Sequence, residues 1–193
     1  MQSQEKPTQS DPWWNNKGEI VKWSSEYDRK ADLWDQKIEL EVGSRLRRTE
    51  SLSKADLRTM VRWKFHRLPG RRGIVLRRLS NVPKSNIETT FVRAMTTPDE
   101  GLRLKELDEL PGIGPAMVSV ILTFYDPSKY GVLDIHVWRE LFGPEPSGLF
   151  QGSRCLMLFL QDLRSIAARH SMRARTVEKA LFQKNYDESR RVN

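Results

Sequence analysis

Apolar positions along this chain recur at helical rather than strand intervals. Leu57, Met60, Val61 and Phe65 give one apolar helix face, while Arg58 and Arg62 fall on the other. Ser53 ahead of them is a good N-cap, with Asp56 in the first turn to meet the helix dipole. Leu33, Trp34, Ile38 and Leu40 sit among alternating charges from Asp28 to about Val42 and predict a helix that stops at Gly43. Leu68-Pro69-Gly70-Arg71-Arg72-Gly73 reads as a basic loop, with helical segments following at 74–80 and 86–95. Thr97-Pro98-Asp99-Glu100 has the form of a capping box with proline at the first helical position, leading into Leu104, Leu107 and Leu110. Ala116 to Tyr125 is apolar nearly all round, the pattern of a helix buried in a core.

Loops are expected at 126–131 and 143–148. Between them Asp134 caps a short helix carrying Val137, Trp138, Leu141 and Phe142. Two further helices are expected near 152–169 and 173–184. Few segments alternate as strands, so the fold class is all-α, without internal repeats. The same pattern leaves residues 1–27, with Trp13, Trp14 and Trp23, as a weakly ordered, flexible arm. Residues 28–186 form the domain and 187–193 a charged tail.

Charge adds a direction to this picture. The chain of 193 residues carries +8, but residues 44–84 hold thirteen Lys and Arg against only Glu50 and Asp56, a local +11. The remainder is therefore about −3, so the positive charge forms a block. Such a block is either a solvated face or the footprint of a polyanion, and its size on a partly apolar framework favours the polyanion. Cys155 is alone, which removes an intramolecular disulfide, a Cys-rich zinc site and a four-cysteine iron–sulfur cluster. In the run Cys155-Leu156-Met157-Leu158-Phe159 it reads as a buried structural thiol. Met1–Asn16 has no signal-peptide core, and no apolar run reaches membrane-spanning length. The expectation is a cytoplasmic monomer that engages no membrane. No HExxH or clustered His/Asp set suggests a metal site.

Candidate chemistry centres on Leu110-Pro111-Gly112-Ile113-Gly114 and on Asp134, twenty residues past the last glycine. The glycines let a helix-to-helix connection bend tightly and bring bare N–H groups to a ligand. The helix starting at Pro115 presents its first amides as an anion site, and nucleic-acid phosphate is the natural anion. A carboxylate fixed beyond that grip is placed to act on what the phosphate carries. The plainer alternative is that Asp134 is an N-cap alone, and both roles are compatible because a cap fixes the carboxylate's backbone.

The turn, the buried helix and Val132-Leu133-Asp134-Ile135-His136-Val137 together resemble the signature of the HhH-GPD (helix-hairpin-helix) DNA glycosylase superfamily, to which endonuclease III and the adenine-mismatch glycosylase belong. Residues from about 50 to 185 also resemble a branch of small bacterial proteins with this domain, through Val61-Arg62-Trp63-Lys64 and Lys179-Ala180-Leu181-Phe182-Gln183. The resemblance implies a two-lobed helical fold with the hairpin at the lobe junction. It implies a catalytic carboxylate at Asp134, acting on an altered base in double-stranded DNA and releasing it to leave an abasic site. Such an enzyme rotates its target nucleotide out of the stack.

By the same resemblance Gly112, Ile113, Gly114 and Ala116 would contact phosphate, Pro115 having no N–H to give. A monovalent cation at the hairpin carbonyls would be a bound ion; no cofactor is implied. Relatives that also cut the backbone carry a Schiff-base lysine where this chain has Ala116, which implies base removal without a strong lyase step. Lys129 is a displaced substitute or, more ordinarily for a loop lysine, solvated. The basic stretch supplies Arg62, Lys64, Arg67, Arg71 and Arg72 for phosphate. Trp63, His66 and Leu68 are candidates for the base pocket or for a wedge that fills the gap. Beside Met60 and Val61, Trp63 reads more naturally as a core residue and His136 as a hydrogen-bonded structural histidine, while the loop is equally an ordinary surface turn. The alternatives from other classes are a non-catalytic hairpin DNA-binding module and a nuclease, the latter without the acidic metal cluster it needs.

Overall fold

The computed structural model describes residues 11–191, and all its regular structure is helical. A short 3-10 turn at Trp13–Asn15 precedes ten helices: α1 Lys17–Lys30, α2 Leu33–Thr49, α3 Lys54–Lys64, α4 Pro69–Ser80 and α5 Lys84–Thr96, then α6 Glu100–Asp108, α7 Pro115–Tyr125, α8 Ile135–Phe142, α9 Arg154–His170 and α10 Ala174–Arg191. The apolar helix α7 lies at the centre, with ten of its eleven residues buried. It touches α2, α3, α6 and α9. α3 to α6 group on one part of the molecule, while α10 joins α1, α8 and α9 on another. One contiguous core runs through both groups, from Ile20 and Leu46 to Phe91, Phe124 and Phe159.

Several caps fall where the sequence places them. Ser53 Oγ accepts from the Asp56 N–H at 3.1 Å, and its hydroxyl donates to Asp56 Oδ2 at 2.6 Å. The same carboxylate accepts from Arg45 Nε at 2.9 Å.

Six expectations need correction. Residues 13–27 are no loose arm: Asn16 caps α1 through the Gly18 N–H at 2.8 Å, and Ile20 is fully buried where α1 runs along α10. Residues 1–10 of the expected arm lie outside the described residues. α2 does not stop at Gly43 but continues to Thr49. There a Cβ would meet the Phe124 carbonyl oxygen at 2.7 Å, so this glycine permits close approach of α2 and α7 instead of ending a helix. The Pro69–Gly73 stretch is the first turn and more of α4, with Pro69 initiating it. Asp99, not Thr97, caps α6, accepting from the Leu102 N–H at 2.7 Å. The segment expected as a tail from residue 187 continues α10 to Arg191. Cys155 is half-buried, not fully enclosed. No helix among the described residues is long and apolar enough to cross a membrane.

Candidate active site

Asp134 lines a cavity of about 580 Å³ formed between α1, α3, the start of α8 and α10. That volume lies within the range of roughly 300–1,000 Å³ typical of small-molecule sites. The backbone that delivers the carboxylate is tied down on both sides. The Leu133 N–H donates to Ser119 Oγ at 2.8 Å, and the Ser119 hydroxyl donates to the Ala116 carbonyl at 2.7 Å. The segment before Asp134 is thereby fastened to the first turns of the helix that the hairpin starts.

Asp134 caps α8 as expected, its Oδ1 accepting from the His136 N–H at 3.1 Å. Its Oδ2 accepts from Lys64 Nζ at 2.8 Å, and that ammonium also donates to the Leu133 carbonyl at 3.2 Å. Burial works against ionisation of the carboxyl. The Lys64 charge and hydrogen bond, with the His136 N–H, outweigh it and hold the group below the usual aspartate range. Asp134 is therefore a carboxylate at neutral pH, with part of its side chain still open to the cavity.

The walls divide into an aromatic side and a charged floor. Phe182 and Tyr186 stack nearly parallel, centroids 5.6 Å apart, and His136 stands edge-on to both. Its Nδ1 lies 3.0 Å from Asn185 Oδ1, which fixes the ring. Trp63 forms part of another wall, its indole N–H donating to the Asp35 carbonyl at 3.2 Å. The floor holds Arg175, buried between Glu39 and Glu178 and donating to the Tyr27 hydroxyl at 3.2 Å. Burial pushes the Tyr27 phenol up to about 12, so it remains a neutral hydrogen-bonding group. Burial also raises the Glu178 carboxyl, while the two acids keep Arg175 charged.

The sequence candidates separate accordingly. Asp134, Trp63, Lys64, His66, Arg67 and Leu68 meet at this cavity. Lys64 turns inward to Asp134 with its side chain 10% exposed, so its place is inside the site and not on the outer phosphate-facing surface. Leu68, 54% exposed, stands at the rim just before α4. Arg67 donates to the Tyr186 hydroxyl at 2.8 Å. Arg62 projects from α3 into solvent. Arg71 lies over the rings of Phe65 and Phe150, and Arg72 donates to the His66 carbonyl at 3.4 Å.

The hairpin does not line the cavity; it lies against α4. Gly112 adopts φ +89°, and a Cβ there would come within 3.0 Å of Arg78 Cβ. The Ile113 N–H is engaged by the Leu110 carbonyl at 2.9 Å, which narrows the expected anion donors to the other amides of the turn and first helical turn. Lys129 is exposed and 3.9 Å from Asp126, away from the cavity. Among the described residues, no group of three or more His, Cys, Asp or Glu side chains could hold a metal ion.

The helix-borne residues of α1 and α10 are those the sequence reading missed. Arg175, Glu178, Phe182 and Tyr186 recur at three- and four-residue steps, which puts them on one face of α10. That mixed charged and aromatic stripe is the signal that could have found them.

No family model, curated protein or solved structure matches the chain. The site's geometry therefore carries the functional reading.

Proposed function

We propose that this protein is a DNA glycosylase that hydrolyses the N-glycosidic bond of an altered base in double-stranded DNA and leaves an abasic site. The observation that carries the reading is Asp134, fixed at a helix start, paired with Lys64 and lining a cavity with a stacked aromatic wall. The hairpin and the basic face of α4 lie together on adjoining surface. In this reading they grip phosphate without regard to sequence. In this reading the two helical groups either side of α7 would serve as the lobes of an HhH-GPD fold.

A nucleotide rotated out of the duplex would place its base against the Phe182–Tyr186 stack, with its sugar at Asp134. As the base departs, positive charge builds on the sugar. A fixed carboxylate stabilises that charge and orients the water that attacks C1′. Leu68 at the rim is placed to occupy the space left in the stack. Hydrogen-bonding groups at the floor, Tyr27 and the Arg175 cluster, would set which base is accepted, whether in repair or in defence against modified viral DNA.

The test is base release from duplexes carrying oxidised, alkylated, deaminated, mismatched or bulky modified bases, with each released base identified by mass. Release of one class of free base, with abasic sites revealed by alkali, supports the reading. Salt-sensitive DNA binding without release from any duplex favours the non-catalytic binding module.

A further inference from the structure

We infer that Asp35 selects the base this cavity accepts, and that the accepted class is guanine-derived, with two adjacent N–H donors on its pairing edge. The inference deepens the glycosylase reading and rests on the cavity being a base pocket. Three carboxylates line the cavity: Asp35, Asp134 and Glu178. Asp134 is paired with Lys64, and Glu178 with Arg175. The Asp35 carboxylate is in no hydrogen bond or ion pair among the described residues. Its place is nonetheless fixed. It stands in the first turn of α2, and its main-chain carbonyl accepts from the buried Trp63 indole at 3.2 Å. Burial pushes its carboxyl up from the ordinary value, and the charges of His66 and Arg67 only restrain the rise. Two N–H donors from a ligand would relieve the cost of leaving that group without a partner.

The other polar side chains nearby are largely engaged. Lys30 is held by Asp187 at 2.7 Å, Arg67 donates to the Tyr186 hydroxyl at 2.8 Å, and Arg175 is enclosed by Glu39, Glu178 and Tyr27. Tyr27 accepts from Arg175 and keeps its own proton to donate. A planar ligand against the Phe182–Tyr186 wall therefore meets a carboxylate with both oxygens free, one hydroxyl donor and the second ring nitrogens of His66 and His136.

A carboxylate takes two parallel N–H donors side by side, as it does from a guanidinium. Guanine presents such a pair at N1–H and the 2-amino group, with O6 as the neighbouring acceptor. Adenine and cytosine set a ring-nitrogen acceptor beside the amino group, and thymine and uracil flank one N–H with two carbonyls. Each of these would turn a lone pair towards the Asp35 charge. With that edge held by Asp35, the alteration that marks the base lies on its N7–C8 side. The structural alternative is that Asp35 only meets the dipole of α2, in which case it confers no preference among bases.

Nucleoside binding separates the two without DNA or turnover. The full-length protein is titrated by calorimetry with 2′-deoxyguanosine, with 2′-deoxyinosine, which lacks the 2-amino group, and with 2′-deoxyadenosine, which has an acceptor at N1. Deoxyguanosine should bind about 10-fold or more tighter than deoxyinosine, and about 100-fold tighter than deoxyadenosine. Asp35→Asn keeps the size of the side chain but exchanges one acceptor for a donor. It should weaken deoxyguanosine by about 10-fold or more and strengthen deoxyadenosine. Deoxyguanosine bound no tighter than deoxyinosine, no binding of any nucleoside, or a preference unchanged in Asp35→Asn overturns the inference. The wild-type comparison does not depend on how the variant folds. Guanine preference without base release from any duplex upholds Asp35 and removes the glycosylase. Release of a base lacking the two donors, with no preference among nucleosides, does the reverse.

Discussion

Lys64 near the end of α3 and Asp134 at the start of α8 meet at 2.8 Å across seventy residues of sequence. The contact fixes the carboxylate's direction and keeps it charged against the cost of burial. It also gives the site its pH behaviour. A carboxyl held below its ordinary value contributes stability and activity in full above that ordinary value, and both are lost as pH falls through the lowered one. Replacing Lys64 by Met removes the opposing charge and leaves the burial. The acid limb of the single-turnover pH–rate profile should therefore move to higher pH. An unmoved limb would show that another group governs it.

The Arg175 cluster beneath the cavity makes a separate statement about stability. Arg175 is 4% exposed and Glu178 2% exposed, with Glu39 on the other side of the guanidinium. Arg175→Met would leave two acids buried without their cation, at a cost of about 3–5 kcal/mol in urea unfolding. A loss under about 1 kcal/mol would mean that the acids simply protonate or rehydrate.

Much of this architecture is readable from local chemistry. Ser53, Asp134 and the apolar run of α7 announce themselves because a cap or a buried helix is specified by neighbours in sequence. Pro69 and Gly43 mislead for the opposite reason. Each has a local meaning as a breaker, yet Pro69 sits at a first helical turn and Gly43 where α7 comes close. α1 carries many charges, and its burial depends on α10, a partner that no local pattern reveals. The Lys64–Asp134 pair and the aromatic wall are tertiary in the same sense. Their residues are visible one by one, but only the fold brings them together.

Gly112 offers a test of the hairpin's geometry. An alanine there would be forced into φ +89° and against Arg78 Cβ. Gly112→Ala should destabilise the protein by about 1–2 kcal/mol and weaken DNA binding as the turn shifts. Unchanged stability and affinity would separate the hairpin from DNA contact.

The basic surface of α4 should register in salt dependence. Arg71→Ala and Arg72→Ala should each reduce the slope of log affinity against log salt by about 0.9 on duplex DNA, whatever its sequence. An unchanged slope in both variants would place the duplex on another face.

The most direct measurement is single-turnover base release by wild type and Asp134→Asn on the duplex that wild type processes, with affinity measured for both. Asparagine keeps the size of the side chain and its capping oxygen while removing the charge. The account expects release to fall by about 100-fold or more with DNA affinity retained. Equal rates of release from the two proteins would contradict it, leaving Asp134 as a helix cap and nothing more.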